Sequence, residues 1–321
     1  MSIKSLIDSG VISVAKQPKN NAVDINAIGD TKLLLFPIDH DYPGGSAAMH
    51  NAVFSAFKLN NRSAFIVADP ANAEQIVNAF RADPAYIGGG AGSGFKDKVG
   101  PFLDKLDQSA KAIGSVNVIA REGGGLVGYN TDGIGFVNGL LNEYPDCIKG
   151  KKVVILGAGG TALPIAYEMS QQQPSEIVIA NRTVGKAEAI AAMVSPFCPA
   201  RGVGEEQIGQ ELADAGIVVN TSNKGAQPNE MYSAFAPMTG NPEADMAVGV
   251  ANLSQLPTSS ILADILLEDD TLTMSMAREH GNPTHSGRHM NLFQAVPAFK
   301  IMTKLHERDD QEILDVMKNA L

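Results

Sequence analysis

The sequence predicts an α/β fold in two domains, and three observations carry that expectation. Short apolar runs alternate with helix-spaced segments along most of the chain, the rhythm of parallel sheets flanked by helices. The run Val153–Leu156 opens straight onto a GAGG turn and then a helical segment. The chain has 321 residues, which exceeds one ordinary domain of roughly 100–200 residues and suits two.

Composition agrees. Hydrophobic residues make up 44% and charged residues 19%, a globular balance with apolar surface for two cores. The formal net charge of −10 argues against nucleic acid as a partner, because such a surface needs a positive footprint. Cys147 and Cys198 are too few for a disulfide framework and read as buried thiols. The N-terminal stretch lacks the apolar core of a signal peptide, and no run reaches the ~18 apolar residues of a membrane span. A cytoplasmic location is expected.

The elements follow in order. Residues 2–12 (SIKSLIDSGVI) read as a short amphipathic helix or a loose arm. Thr31–Ile38 is an apolar run of strand length. Ser46–Leu59 has helical spacing, with Met49, Val53, Phe54 and Phe57 on one stripe and Ser46 as N-cap. Ser63–Asp69 reads as a strand and Pro70–Asp83 as a helix. Val99–Gly114 reads as a helix and turn, and residues 115–130 as two strands around a Glu-Gly-Gly-Gly turn. Thr131–Tyr144 restarts a helix.

The second half is a run of βα units: strand, glycine turn and helix over Lys151–Ser170, strand Ser175–Thr183, helix Gly185–Ser195, and strands at Ala215–Asn223 and Ser259–Leu267. The junction between domains falls near residues 130–150. The last ~30 residues read as two helices. His280, His285 and His289 sit among Gly and Pro, which break any helix there, so they read as a polar loop and no metal site is assigned.

Between these blocks lies YIGGGAGSGFKDKVG (Tyr86–Gly100), which reads as a flexible glycine loop ending in Lys96. A phosphate-binding loop of the G-x-x-x-x-G-K-[ST] type needs lysine directly after glycine and a hydroxyl after lysine. Phe95 separates Gly94 from Lys96, and Asp97 replaces the hydroxyl, so that reading fails.

The turn Val153–Ala162 places Gly157, Gly159 and Ala162 in G-x-G-x-x-A spacing. The first glycine permits a tight turn, the second lets backbone approach a pyrophosphate, and the small third residue lets helix pack on strand. Ala158, Gly160 and Thr161 complete a cradle in which helix N–H groups face phosphate. The bland alternative is an ordinary glycine turn. The next strand ends in Asn181-Arg182-Thr183, followed by Lys186. A carboxylate there would repel a 2′-phosphate, whereas a guanidinium can clamp it, so NADP is favoured over NAD. The alternative is that Arg182 and Lys186 are solvated charges at a helix start.

The stretch Gly114–Leu140, and above all GYNTDGIGF (Gly128–Phe136), closely resembles the shikimate dehydrogenase family. GAGG followed by NRT, VVNTSNKG, MNLFQAVPAF and PIDH…SAAMHNAVF resemble further family motifs, so the likeness runs in order from about residue 31 to 303. It implies two α/β domains across a cleft: a substrate domain over residues 1–131, completed by 289–321, and a Rossmann-like NADP-binding domain over 132–288. The implied reaction is reversible hydride transfer between NADP and a ring carbonyl, 3-dehydroshikimate to shikimate. The resemblance lands a catalytic lysine on Lys96 and its aspartate on Asp132. An ammonium can protonate the alkoxide left by hydride addition, and a carboxylate can orient it; a solvated surface pair is the alternative. It also assigns substrate contacts to Ser46, Asn117 and Gln294, and cofactor contacts to Thr221 and Ser222. Amides such as Asn117 and Gln294 can equally cap loops.

The pattern departs where the family binds the substrate's carboxylate. Its first serine falls on Gly44, its threonine on Gly92, the histidine before the lysine on Phe95, and a tyrosine near Leu267. Each lost partner costs ~1–3 kcal/mol if a buried group is left unpaired. The expected substrate is therefore a small cyclic hydroxy acid that need not be shikimate; quinate- or aminoshikimate-type rings are alternatives. A non-catalytic NADP- or metabolite-binding sensor on the same fold is the competing reading, and retention of both Lys96 and Asp132 speaks against it. The protein is expected to be a monomer or homodimer.

Overall fold

A computed structural model describes residues 2–15, 30–41, 45–266 and 270–320. The chain divides into two compact units, Met1–Thr131 with Gln294–Leu321, and Asp132–Phe293. Both are α/β.

The first unit holds a seven-stranded sheet. Its strands are β1 (Ile12–Val14), β2 (Lys32–Ile38), β3 (Asn61–Ala68), β4 (Tyr86–Gly90), β5 (Lys105–Leu106), β6 (Val118–Glu122) and β7 (Gly125–Tyr129), in the order β1-β3-β2-β4-β6-β7-β5. β2 runs parallel to β3 and β4, and all its residues after Lys32 are buried. That is why the segment reads as an unbroken apolar run rather than an alternating one. β4 then pairs antiparallel with β6, and β6 with β7.

Four helices belong to this part of the chain. In α1 (Ile3–Asp8), Ser2 and Ser5 cap each other reciprocally while Ile3 and Leu6 are buried, so the amphipathic-helix alternative is the one the chain adopts. α2 (Gly45–Ala56) buries Met49, Val53 and Phe54. Phe57 lies half-buried under the Arg308 guanidinium, which stands 4.6 Å from the ring centroid. α3 spans Ala73–Ala82 and α4 spans Gln108–Ile113.

The structure corrects the sequence reading at three places here. Ser46 does not cap α2; it is the second residue of the helix. The helix expected over Val99–Gly114 is confined to α4, capped by Asp107 and closed by Gly114 in the left-handed conformation, with a 3-10 turn at Gly100–Phe102 and β5 before it. The glycine run is not a loop at its start, because Tyr86–Gly90 is the strand β4 between β2 and β6.

The second unit is a six-stranded, all-parallel sheet of β8 (Lys152–Leu156), β9 (Glu176–Ala180), β10 (Ala200–Val203), β11 (Ile217–Asn220), β12 (Ile261–Asp264) and β13 (Thr284–Ser286), in the order β10-β9-β8-β11-β12-β13. Its helices are α5 (Asp132–Glu143), α6 (Ala162–Ser170), α7 (Val184–Val194), α8 (Ile208–Leu212), α9 (Pro242–Leu253) and α10 (Leu272–His280). α5 packs on α6. The approach is close at Gly133, where a Cβ would lie 2.0 Å from the Pro164 carbonyl oxygen. β8 and β11, at the centre, are buried at nearly every residue. The order reverses between β8 and β11, so the C-terminal ends of those strands form the switch point where open α/β sheets bind ligands.

Two short strands, β10 and β13, were not expected. β13 lies within the segment read as a polar loop, and its His285 is buried and bonded through Nδ1 to Glu143 Oε2 at 2.7 Å. The partner that sequence proximity did not supply comes from α5, 142 residues away. Cys198 is buried, but Cys147 is only half-buried. Finally α11 (Met290–Thr303) and α12 (Asp310–Lys318) return the chain, from Gln294 onward, to the first unit, where α12 packs on α2.

Candidate functional site

In the first unit the site grows out of the glycine strand. A Cβ at Gly89 would lie 1.9 Å from the Leu35 carbonyl oxygen, and one at Gly90 would lie 2.3 Å from the Asn117 oxygen and 2.7 Å from the Phe36 ring. Glycine is costly in a strand interior and marks sites of close backbone approach. After β4 the chain turns. The Gly92 N–H donates to the Pro37 carbonyl (2.9 Å), the Ser93 carbonyl accepts from the Asp39 N–H (3.1 Å), and Gly94 sits at φ +76°. Phe95 is fully buried in the main core of this unit.

Lys96 follows at once, half-buried, its carbonyl accepting from the Val116 N–H at 2.8 Å. The apolar anchor before the lysine and the backbone bond at it fix where this side chain starts. The Phe95 ring packs in that core, so this position contributes apolar contact rather than a hydrogen-bonding side chain.

One residue beyond Val116 is Asn117, at the centre of a polar cluster. Its Nδ2 donates to Thr131 Oγ1 (3.1 Å) and Gln294 Oε1 (3.0 Å), and its Oδ1 accepts from the Thr131 N–H (2.8 Å). Thr131 Oγ1 also lies 3.5 Å from Gln294 Oε1. Asn117 and Thr131 are buried. The cluster joins β6, the end of β7 and α11. Thr131 is the residue sequence reasoning passed over; it stands inside the motif as the threonine of NTDG, and that was the available signal. Asp132 follows Thr131 directly in the chain and is the first residue of α5, half-buried. Ser46 is half-buried in the first turn of α2. Positions Gly44 and Leu267 lie outside the described residues.

In the second unit the glycine turn joins β8 to α6. Gly157 has φ +108°, and a Cβ on it would stand 3.1 Å from Thr221 Oγ1 and from the Ser222 nitrogen. By contrast a Cβ on Gly159 would meet only the Thr221 oxygen, at 3.7 Å, and one on Gly160 nothing within 4 Å. Thr161 makes no side-chain cap to α6, so the first-turn N–H groups beside Ala162 are not taken by it.

Asn181 is a strut. Its Oδ1 accepts from the Ala158 N–H (3.2 Å) and its Nδ2 donates to the Thr183 carbonyl (2.9 Å), tying the turn to the end of β9. Thr221 Oγ1 donates to the Leu156 and Gly157 carbonyls, both at 3.1 Å. Ser222 Oγ donates to Asn220 Oδ1 at 2.7 Å, and Asn220 in turn donates to buried Asp264 (3.1 Å). These side chains build the wall of the turn.

Arg182, Thr183 and Lys186 are exposed, and neither cation forms an ion pair among the described residues. Open space over Gly159 and Gly160, an uncapped helix start and two free cations after β9 fit a phosphate-bearing dinucleotide that carries an additional phosphate.

Elsewhere, His50 is buried between the Phe36 and Phe299 rings. Its Nδ1 pairs with Ser63 Oγ at 3.2 Å, and its Nε2 has no partner among the described residues. Burial pushes its pKa down to about 3, so the ring is neutral. His40, by contrast, is exposed and bonded to Asp39 (2.6 Å). Among the described residues no helix is long and apolar enough to cross a membrane.

Comparison with known proteins converges on one family. The family described as "Shikimate dehydrogenase substrate binding domain" matches residues 37–119, and the one described as "Shikimate / quinate 5-dehydrogenase" matches residues 140–227. The shikimate dehydrogenase (NADP(+)) of Desulforamulus reducens is 32% identical over 89% of this chain and 92% of its own. Among solved structures, the shikimate 5-dehydrogenase of Listeria monocytogenes, in complex with shikimate and NAD, is similar with a TM-score of 0.78 at 26% identity, covering 92% of this chain and 99% of that one. A shikimate dehydrogenase in complex with NADP+ is similar with a TM-score of 0.72, also at 26% identity, over 94% and 98% of the two chains. The chain belongs to the shikimate dehydrogenase family.

Proposed function

We propose that this protein is an NADP-dependent dehydrogenase that reversibly interconverts a ring ketone and a ring alcohol, 3-dehydroshikimate and shikimate or a related cyclic hydroxy acid. The observation that supports it most is the Asn117–Thr131–Gln294 cluster. Three neutral polar side chains from distant parts of the chain meet beside the backbone bond that holds Lys96. Amides and a hydroxyl are suited to recognising ring hydroxyls, with donors and acceptors available at once.

In this reading the first unit binds the ring and the second binds the dinucleotide. Gly157–Ala162 cradle the pyrophosphate, and Arg182 and Lys186 hold the 2′-phosphate. Bound NADPH supplies the hydride that adds to the carbonyl carbon. Lys96 donates a proton to the carbonyl oxygen as negative charge develops there, and takes it back in the oxidative direction. Asp132 orients the lysine and accepts a hydrogen bond from the substrate hydroxyl. Asn117 and Gln294 fix the ring so that the reacting carbon lies near Lys96, which converts an encounter into an oriented step. The protein works in the cytoplasm, as a monomer or homodimer.

Steady-state NADPH formation with shikimate and quinate tests this. Lys96→Ala is expected to lower kcat by about 10²–10⁴-fold while NADP still binds. An unchanged kcat would remove the lysine from the chemistry. Arg182→Ala is expected to weaken NADP binding by about tenfold or more with little change for NAD, because only NADP carries the phosphate that a guanidinium clamps. Equal losses for both would assign Arg182 another role.

A further inference from the structure

The Asn117 backbone is held on both sides. Its N–H donates to the Tyr129 carbonyl (3.0 Å), its carbonyl accepts from the Ala91 N–H (3.1 Å), and the preceding Val116 N–H donates to the Lys96 carbonyl (2.8 Å). The side chain is fixed as well. The Thr131 N–H donates to Asn117 Oδ1 at 2.8 Å. A backbone N–H can only donate, so this bond decides which end of the amide faces Thr131. The other end, Nδ2, also only donates, and it meets two acceptors, Thr131 Oγ1 (3.1 Å) and Gln294 Oε1 (3.0 Å). Each of its two hydrogens is matched by one acceptor.

Polarity passes along this chain of bonds. Because Asn117 offers a donor, Gln294 has to turn its oxygen toward it, and Nε2 then stands at the other end of the amide with two hydrogens. The bonds of Gln294 all run through Oε1, to Asn117 and, at 3.5 Å, to Thr131 Oγ1, so Nε2 has no protein partner among the described residues. Asn117 and Thr131 are buried, whereas Gln294, on α11, is half-buried. The cluster thus satisfies its interior and leaves one pair of amide donors unused. Thr131 and Gln294 are also the residues at which the chain leaves and re-enters the first unit. A staple between those two points would need the same bonds, but it would not make Thr131 act on a ligand through Gln294.

We propose that Thr131 is a positioning residue: through Asn117 it sets the polarity of Gln294, so that the ring meets two N–H donors there and the contact selects an acceptor oxygen. The proposal rests on the reading in which Gln294 touches the ring. A ring hydroxyl satisfies the contact by accepting, and keeps its own hydrogen for another partner. A ring ammonium carries donors only and sets donor against donor. A hydroxylated ring acid is therefore favoured over a counterpart with its amine at this position. Thr131 holds the selection because, without its hydroxyl, one Nδ2 hydrogen of Asn117 is buried unpaired, which favours rotation of that amide out of the relay.

Calorimetry on the full-length protein with NADP present measures affinity for shikimate and quinate in the wild type, Thr131→Val, Thr131→Ser, Gln294→Met and the Thr131→Val/Gln294→Met double variant. Thr131→Val removes the hydroxyl at nearly constant volume and is expected to weaken ring binding about tenfold with NADP affinity unchanged, while Thr131→Ser, which keeps the hydroxyl, stays within about twofold of wild type. Gln294→Met is expected to lose about tenfold, and the double variant no more than that, because Thr131 then has nothing to position. Among shikimate analogues with one ring hydroxyl at a time replaced by an ammonium, at least one is expected to bind the wild type about tenfold more weakly than shikimate, and to lose that deficit in Gln294→Met. A reading that needs no variant comes from isotope-labelled side-chain amides in the ligand-free wild type, where the Asn117 hydrogens are expected to exchange with water about tenfold more slowly than those of Gln294. Losses that add in the double variant, Thr131→Ser as weak as Thr131→Val, no ammonium deficit that depends on Gln294, faster exchange at Asn117 than at Gln294, or a wild type that binds neither ring would each overturn the proposal. Turnover is scored separately. If a ring acid is oxidised with NADP and Lys96→Ala abolishes it while the losses add, the hydride-transfer reading stands and only the role of Thr131 falls. If the losses coincide without turnover, the reading of the chemistry falls and the relay survives.

Discussion

Two glycine-rich stretches, Gly88–Gly94 in the first unit and Gly157–Gly160 in the second, look alike as sequence and do opposite work. In the first, the protein fills the space that the missing side chains leave: carbonyl oxygens of Leu35, Ile119 and Asn117, the Phe36 ring, Ile38 and Asp39 all stand where a Cβ would be. In the second, Gly157 is similarly crowded, but Gly159 and Gly160 face almost nothing. A glycine with the protein against it is an element of packing. A glycine with nothing against it leaves open space, and at Gly159 and Gly160 that space lies before the first turn of α6. Composition alone cannot tell these apart, because both stretches need the same residue for different neighbours.

The largest effect that would break the comparison is expected at Gly89. Gly89→Ala places a Cβ 1.9 Å from the Leu35 oxygen, a clash with backbone that side-chain rearrangement cannot relieve. A loss of about 3 kcal/mol or more is expected, at the upper end of single substitutions, seen as early unfolding of the first unit in urea. A variant as stable as the wild type would show that β4 has slack its geometry denies.

The packed side of the comparison extends to His50, whose ring lies against the same Phe36 that touches Gly90. Its folded pKa of about 3 lies below the ~6.5 of an unfolded histidine. The unfolded chain therefore binds the proton first as pH falls, and stability is full above about 6.5 and lost on the way toward 3. The expected slope is about 1.4 kcal/mol per pH unit from this group. Unfolding free energies between pH 7 and 4 should lose that slope in His50→Leu; identical slopes would mean the ring is not desolvated.

The smallest effect on stability, and the sharpest contrast, is expected at Gly160. Gly160→Ala meets no atom, so a change within about 0.5 kcal/mol is expected. If the turn cradles the pyrophosphate as proposed, NADP affinity should nevertheless fall several-fold, because the added methyl enters that space. Destabilisation without loss of affinity would reverse the assignment of that turn.

Much of the second unit was legible in sequence. Strands buried on both faces appear as short apolar runs, and β8, β9, β11 and β12 are such runs. β10 was missed because ARGV carries only one buried residue, and its Gly202 is explained only by the α7 backbone, which a Cβ there would approach to 2.3 Å at Glu188 N. β4 was missed for a related reason: glycine is depleted in strands, and its tolerance here depends on β2 and β6, 50 residues before and 30 after in the chain. Asn117 and Gln294 could be singled out from motifs, but their mutual bond could not, nor could the part of Thr131 in it. The Glu143–His285 pair was hidden by the same distance in sequence. Local patterns revealed what each residue resembles; only folding revealed what it touches.

The first unit is assembled from both ends of the chain, and the Asn117–Gln294 hydrogen bond that ties them spans 177 residues. During synthesis, at about 5–20 residues per second, the whole of the second unit emerges before α11 and α12 exist to complete the first. β2, β3 and β4 must wait with α2 lacking α12 against it, an exposed apolar surface for about ten seconds or more. Contacts of such long range slow folding because loop closure comes before the reward. The Asn117–Thr131–Gln294 cluster is therefore among the last parts of the molecule to form, and a chain that stops short of Gln294 never closes the bond that joins its two ends.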